Sequence, residues 1–312
     1  MNIRVVGAGS LAGLLCVCAA EAAPLRTTDP AVFTQLKWDN SQQGRPLDLT
    51  KFKRTFHDDF KTMNIVKEEA APGSNAVWFA PGHGAFRHDA PLRKDGPFQL
   101  VEDGLRMRVE KVGKNWKGAC MATVNTRGEG FAQQYGYFEA DIRYDYAGAG
   151  TGIWGAFWAK SQQDYATTGT TTRTEIDFTE FYGDDGYHAT VHLWPAAKPQ
   201  PGETILKHLF ASGHKHKLAP DLFKGLKVDR RVPGFHLYGG EVTPAWVIMY
   251  FDRKEVGRFP TMPEWKTPLY LLLDVVLNPR EKEKAVFPMD LVVRHVSAYQ
   301  SINTNRSLKE PK

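Results

Sequence analysis

Cysteine is scarce in this chain: three in 312 residues, at positions 16, 18 and 120. The first two fall in a leader expected to be removed, which leaves Cys120 alone and allows no internal disulfide. A disulfide-stapled miniprotein is excluded, and a chain of this length can bury most of its apolar surface without staples. Charge of one sign is also in short supply, with 40 Lys and Arg against 35 Asp and Glu and a net charge of +5. That bias is too weak on a chain this long to argue for a nucleic-acid partner. There is no apolar run of the roughly 20 residues needed to span a bilayer, no sustained helical period and no internal repeat. Cys120 sits in the apolar stretch Ala119-Cys120-Met121-Ala122, which suits a buried small hydrophobe better than a nucleophile.

The N-terminus has the composition of an export signal. Arg4 is the basic end, residues 5–20 are the apolar stretch, and Ala20-Glu21-Ala22 is a small-x-small cleavage site. Residues 1–22 are therefore expected to be removed, and the protein to be secreted or periplasmic. A lipid anchor on Cys16 or Cys18 is disfavoured because the small residues expected before such a cysteine are missing. Residues 23–50 are polar, with few periodic apolar positions, and are expected to form an extended leader packed on the main body. Residues 51–300 are expected to form one domain, and residues 301–312 a polar tail.

Within that domain, short alternating runs are separated by Gly, Pro, Asn and Asp. The clearest are 104–109, 136–144, 152–158, 174–182, 187–194, 246–252, 269–276 and 291–299. Alternation of this kind, without a repeat period, predicts an all-β, two-sheet sandwich.

The run Thr174-Glu175-Ile176-Asp177-Phe178-Thr179-Glu180-Phe181-Tyr182 cannot be an ordinary strand. Strict alternation would put Glu180 on the core face with Ile176 and Phe178, and burying an unpaired carboxylate costs several kcal/mol. One extra residue, a β-bulge near Phe178 and Thr179, removes the conflict. Glu175, Asp177 and Glu180 then share one face, and Ile176, Phe178 and Phe181 the other. Three carboxylates in a row must split their ionisation, which is what acid and nucleophile chemistry requires. With the bulge, Glu175 and Glu180 stand roughly 13 Å apart between backbones by strand rise, a gap that two long side chains leaning together close in large part. Taken alone, the stretch also fits a solvated polar face or a divalent-metal cluster.

The neighbouring runs favour the chemical reading. In 187–194, His188, Thr190, His192 and Trp194 share one face and Ala189, Val191 and Leu193 the other. In 152–160, Trp154, Ala156 and Trp158 lie opposite Ile153 and Phe157. Exposed indoles are natural platforms for sugar rings, so Trp154, Trp158, His188, His192 and Trp194 are candidate substrate-binding residues beside the candidate catalytic residues Glu175, Asp177 and Glu180.

With these residues in view the chain resembles family 16 of the glycoside hydrolases, which includes laminarinases, lichenases, agarases and carrageenases. The resemblance runs in order through Phe56-His57-Asp58-Asp59-Phe60, Tyr135-Gly136-Tyr137-Phe138-Glu139-Ala140, the 152–158 run, Glu175 to Glu180, His192-Leu193-Trp194-Pro195, Phe235-His236-Leu237-Tyr238, Tyr250-Phe251-Asp252 and Val296-Ser297-Ala298-Tyr299-Gln300. It implies a concanavalin A-like β-jelly roll with a concave cleft for polysaccharide, and retaining cleavage within the chain. Glu175 would be the nucleophile, Asp177 the assisting carboxylate and Glu180 the acid/base. The six-residue span is that of the bulged branch, and bacterial exopolysaccharide glycanases are also similar. Transglycosylation on the same glycans and glycan binding without turnover are the alternatives.

Four positions depart from the family pattern. Gly155 stands where Pro is frequent, Val242 where Trp is usual, Asp141 where Arg is common, and Arg294 where many members carry an Asp that helps hold a structural calcium. A positive charge at 294 argues against that ion, so neither metal nor cofactor is expected. The stretch 205–231 holds seven Lys or Arg and His208, His214 and His216. It reads as an insertion between cleft strands, either an ordinary solvated loop or a wall for an anionic glycan. His214-Lys215-His216 lacks the acidic or Cys partners that a metal site needs. The expected partner is thus a polysaccharide, with an anionic one as a candidate, and the protein is expected to be a monomer.

Overall fold

The computed structural model describes residues 29–73, 76–80, 92–146, 152–163, 173–183, 187–195, 208–212 and 234–302. The expected export signal, His214 to His216, most of the basic stretch and residues 303–312 lie outside the described residues. A short helix α1 (Pro30–Gln35) comes first, started by Asp29, whose side chain accepts from the Ala31 N–H. It is followed by strands β1 (Phe52–Asp58), β2 (Ile65–Lys67), β3 (Trp78–Ala80), β4 (Phe98–Val101), β5 (Gly104–Arg108) and β6 (Glu110–Val112). Next come β7 (Asn115–Lys117), β8 (Ala119–Ala122), β9 (Gly136–Tyr146), β10 (Ile153–Ser161), β11 (Arg173–Phe181) and β12 (His188–Trp194). The chain continues through β13 (Leu209–Ser212), β14 (His236–Val242), β15 (Trp246–Phe251), β16 (Lys254–Pro260), β17 (Leu269–Leu277) and β18 (Met289–Ser301).

Two sheets form the sandwich. One has the order β16-β15-β14-β9-β18-β5-β4, with β1 also paired to β18; the other, which carries the carboxylates, has the order β13-β12-β11-β10-β17-β8-β3-β2. All eight alternating runs read from the sequence are strands, with ends within three residues of those expected. The core lies between the sheets: Ile153 and Phe157, Ile176, Phe178 and Phe181, and Ala189, Val191 and Leu193 all point into it. The sheets approach closely at Gly240, where a Cβ would sit 2.3 Å from the Phe178 ring. The bulge residue Phe178 is thus seated against the bare backbone of β14.

The segment expected to be extended begins instead with the turn and a half of α1, where Pro30 follows the capping Asp29. Phe33 enters the core beside Phe259 and Trp265. Residues 39 and 46 then bridge to β16 through Arg258 and Lys254, and the Trp38 indole N–H donates to the Ala211 carbonyl of β13. Among the described residues no helix is long and apolar enough to cross a membrane.

Candidate active site

The bulge lies where the carboxylate pattern requires it. Glu175, Asp177 and Glu180 face His192, Thr190 and His188 of β12, with the register shifting between Asp177 and Glu180. On the other side, Lys160, Trp158 and Ala156 of β10 face the same three carboxylates, and the shift falls between Phe157 and Trp158. One inserted residue therefore keeps all three acids on the face turned away from the core.

Glu180 has partners of its own, whereas Asp177 and Glu175 both face His192. Glu180 accepts from Thr190 Oγ1 at 2.9 Å and from the Tyr182 hydroxyl. Burial, followed by the Glu180 charge, pushes the Tyr182 phenol up, so it keeps its proton and donates. Asp177 Oδ2 shares a proton with His192 Nε2 at 2.9 Å, and Glu175 Oε1 lies 3.8 Å from the same nitrogen. Burial and then the Glu180 charge push the Asp177 carboxyl up. Burial and then Asp177 push Glu175 to about 7, against the opposing pull of His192 and Lys160. The like charges thus settle by retaining protons, as neighbouring buried carboxylates do.

A stability prediction follows for Glu175, whose folded pKa of about 7 lies above its ordinary 4.5. The cost of the buried carboxylate is absent below 4.5, grows as pH rises and is complete above 7. Glu175→Gln removes that cost, so it is expected to be more stable than wild type at pH 8, by on the order of 2 kcal/mol, and no more stable at pH 4. Thermal melts of both proteins at the two pH values test this; a gain independent of pH contradicts it.

The expected substrate-binding residues share this face, but not all are open. Trp154 is half-buried, its ring 5.7 Å from that of Tyr182. Trp158, expected to be an exposed platform, is only 3% exposed. Its indole N–H donates to Asp274 Oδ1 at 2.7 Å, and it packs in a second apolar cluster with Cys120, Ala122, Tyr270 and Leu272. Alternation assigned its face correctly, but strands distant in sequence cover the ring. His188 is buried and meets the Tyr182 ring edge-on at 5.1 Å, so it supports Tyr182 rather than presenting a surface. His192 lies against the carboxylates, and Trp194 is half-buried under His208, ring centroids 3.6 Å apart. Cys120 is buried, as expected.

Sequence reasoning missed Tyr182 and Lys160 as members of the site and named Thr190 only as a residue of its face; the registers place Thr190 opposite Asp177 and Lys160 opposite Glu175. It also treated His208 as part of a charge run, whereas β13 pairs with β12, placing Phe210 opposite His192. Glu175, Asp177 and His192 offer ligand atoms within 4.8 Å of one another, a spacing a cation could bridge. His192 Nε2 already lies 2.9 Å from Asp177 Oδ2, so a cation there would have to displace that hydrogen bond. On the opposing sheet, the Arg294 guanidinium lies 3.1 Å from Asp141 and 3.8 Å above the Phe235 ring. The two departures at 141 and 294 therefore pair with each other.

The molecule is thus a two-sheet jelly roll with three carboxylates in a row on one outward face, flanked by indoles and imidazoles. The model of the glycosyl hydrolases family 16 matches residues 94–270, and the chain belongs to that family. Two relatives from Rhizobium meliloti (strain 1021) bear names of the same kind. Endo-1,3-1,4-beta-glycanase EglC is 25% identical over 257 residues, 74% of this chain and 48% of its own length. Endo-1,3-1,4-beta-glycanase ExsH is 25% identical over 310 residues, 88% of this chain and 59% of its own length. This chain thus spans only about half of each. Among solved structures, SCLam, a non-specific endo-beta-1,3(4)-glucanase, superposes with a TM-score of 0.55 at 18% identity, covering 84% of this chain and 97% of its own. The laminarinase from Rhodothermus marinus gives 0.54 at 20% identity, covering 83% and 99%. These structures share the jelly-roll fold with this protein.

Proposed function

We propose that this protein is an exported, endo-acting, retaining glycoside hydrolase that cuts β-linked polysaccharide. The observation that carries the reading is the bulge in β11, which aligns Glu175, Asp177 and Glu180 on one face, with Glu180 held by Thr190 and Tyr182 and the other two turned toward His192. Glu175 attacks the anomeric carbon while Glu180 protonates the departing glycosidic oxygen. Glu180 then takes a proton from water, which displaces Glu175 and restores the original anomeric configuration. Asp177, tied to His192, sits between the two and moderates their charge. Trp154 and Trp194 contribute apolar faces for sugar rings, His192 orients Asp177, and Trp158 and His188 act from beneath the surface. Residues 1–22 act as the export signal, 23–50 as a strap on the sandwich, and 51–300 as the catalytic domain.

The 1,3-1,4-beta linkage in the names of the two Rhizobium meliloti relatives favours a β-1,3- or β-1,3/1,4-glucan, and a bacterial exopolysaccharide stands beside it as a candidate. Release of new reducing ends from laminarin, mixed-linkage glucan, agarose, carrageenan and an acidic bacterial exopolysaccharide tests the reading. Cleavage of a β-glucan or the exopolysaccharide, with oligosaccharides appearing before single sugars, is the expected result. Binding to a polymer with no cleavage of any of them contradicts hydrolysis and favours transglycosylation or a lectin.

A further inference from the structure

The His192 ring is held on both sides. Its Nε2 is 2.9 Å from Asp177 Oδ2 and its Nδ1 is 2.9 Å from His208 Nε2. The imidazole of His208 lies almost parallel to that of His192, 5.2 Å away and 9° from coplanar. It stacks on Trp194, 3.6 Å away and tilted by 4°, and also lies 5.2 Å from the Phe210 ring. Phe210 is 56% exposed, so this stack closes the edge of the carboxylate sheet. The backbone of His192 is fixed as well, its carbonyl accepting from the Trp265 indole at 3.2 Å.

A neutral imidazole carries one ring proton, and when both nitrogens are bonded the two hydrogen bonds cannot be chosen independently. If His192 donates through Nδ1 to His208, its Nε2 must accept from a protonated Asp177. If it accepts at Nδ1 from His208, its Nε2 must donate to an ionised Asp177. Burial holds both imidazoles below their ordinary values, so each carries a single ring proton near neutrality. We propose, building on the hydrolase reading above, that His208 is a positioning residue for the carboxylate site: it fixes the His192 ring and its tautomer, and through them the hydrogen bond that His192 makes to Asp177. The link depends on β13, so the segment that read as a solvated loop or a wall for an anionic glycan supplies part of the support for the catalytic centre.

Two variants separate the hydrogen bond from the stack. His208→Phe keeps a ring on Trp194 but has no nitrogen for His192, whereas His208→Gln places an amide near Nε2 that can donate or accept. Nitrogen-15 NMR of histidine-labelled protein at pH 7 reads the tautomer of His192 directly and needs no substrate. A single His192 tautomer is expected in wild type and in His208→Gln, and a mixture or the opposite tautomer in His208→Phe. On the polysaccharide that wild type cleaves, His208→Phe is expected to lose about tenfold in kcat, a fraction of what general acid–base catalysis contributes, with KM within about twofold. His208→Gln is expected to recover most of that loss. An unchanged His192 tautomer in a folded His208→Phe protein overturns the proposal, and so does a rise in KM at constant kcat, which would make His208 a sugar platform only. If wild type cleaves nothing, the hydrolase reading fails while the NMR result still decides whether His208 sets the tautomer.

Discussion

Glu175→Gln is expected to lower the rate of polysaccharide cleavage by at least about 10⁴-fold, the scale seen when a catalytic group of a covalent mechanism is removed, while the fold survives. Gln is nearly isosteric, and the side chain it replaces makes its closest described contact with His192 at 3.8 Å, so no short bond is broken. The loss arises because an amide cannot form the glycosyl ester. Glu180→Gln should differ in a diagnostic way. Removing a general acid costs about 10²- to 10⁴-fold on a poor leaving group, and much less on a dinitrophenyl glycoside, which departs without a proton. Azide separates the two roles again: with Glu175→Ala it fills the vacated side and gives the α-glycosyl azide from a β-substrate, and with Glu180→Ala it gives the β-product. Equal losses on all leaving groups in both variants would mean that the two carboxylates do not divide the work as assigned.

Arg253→Met is expected to destabilise the protein by about 3 to 5 kcal/mol, the usual result of leaving a buried charge without its partner. Glu139, on the opposing sheet, is 0% exposed. It accepts from Arg253 Nε at 2.9 Å and Nη2 at 2.8 Å, and from the Tyr137 and Tyr299 hydroxyls at 3.0 Å each. Burial alone would raise its pKa, but His295 and Arg253 overcome this and hold it at about 2. Because the folded value lies below the ordinary 4.5, the stabilisation is complete above 4.5 and is lost as pH falls through 2. Arg253 also has a positive φ of 58° beside Asp252 at 47°, in the two-residue turn between β15 and β16. Methionine keeps the same backbone cost, so the comparison isolates the ion pair. Urea unfolding at pH 7 and pH 3 measures it: the gap between the proteins should narrow at pH 3. A constant gap would assign the loss to packing.

The site strand was legible because its sequence poses a contradiction. A carboxylate at 180 on a core-facing position cannot be buried unpaired, and the bulge that resolves the conflict also carries Phe181 to the core side. The faces of β10 and β12 were legible for the same reason of alternation. What alternation cannot say is what lies above a face. Trp158 points away from the core as its period requires, yet Tyr270 and Cys120, from strands far away in sequence, pack against it. His208 was hidden by composition: seven cations in 205–231 read as a solvated loop or a wall for an anionic glycan, and nothing local marks the four residues of β13 that pair with β12. The Glu139 network was beyond reach as well, because its partners come from β9, β18 and the turn after β15, and only strand order brings them together.

If the bulged strand presents a nucleophile and an acid/base, cleavage proceeds by double displacement with retention at the anomeric carbon. Proton NMR of the first product formed from a β-glucan oligosaccharide tests it most directly, recorded before mutarotation equilibrates the new reducing end. Double displacement through Glu175 predicts that the β-anomer appears first and decays slowly to the equilibrium mixture. The α-anomer appearing first would mean that water attacks directly, and the assignment of Glu175 as nucleophile would be wrong.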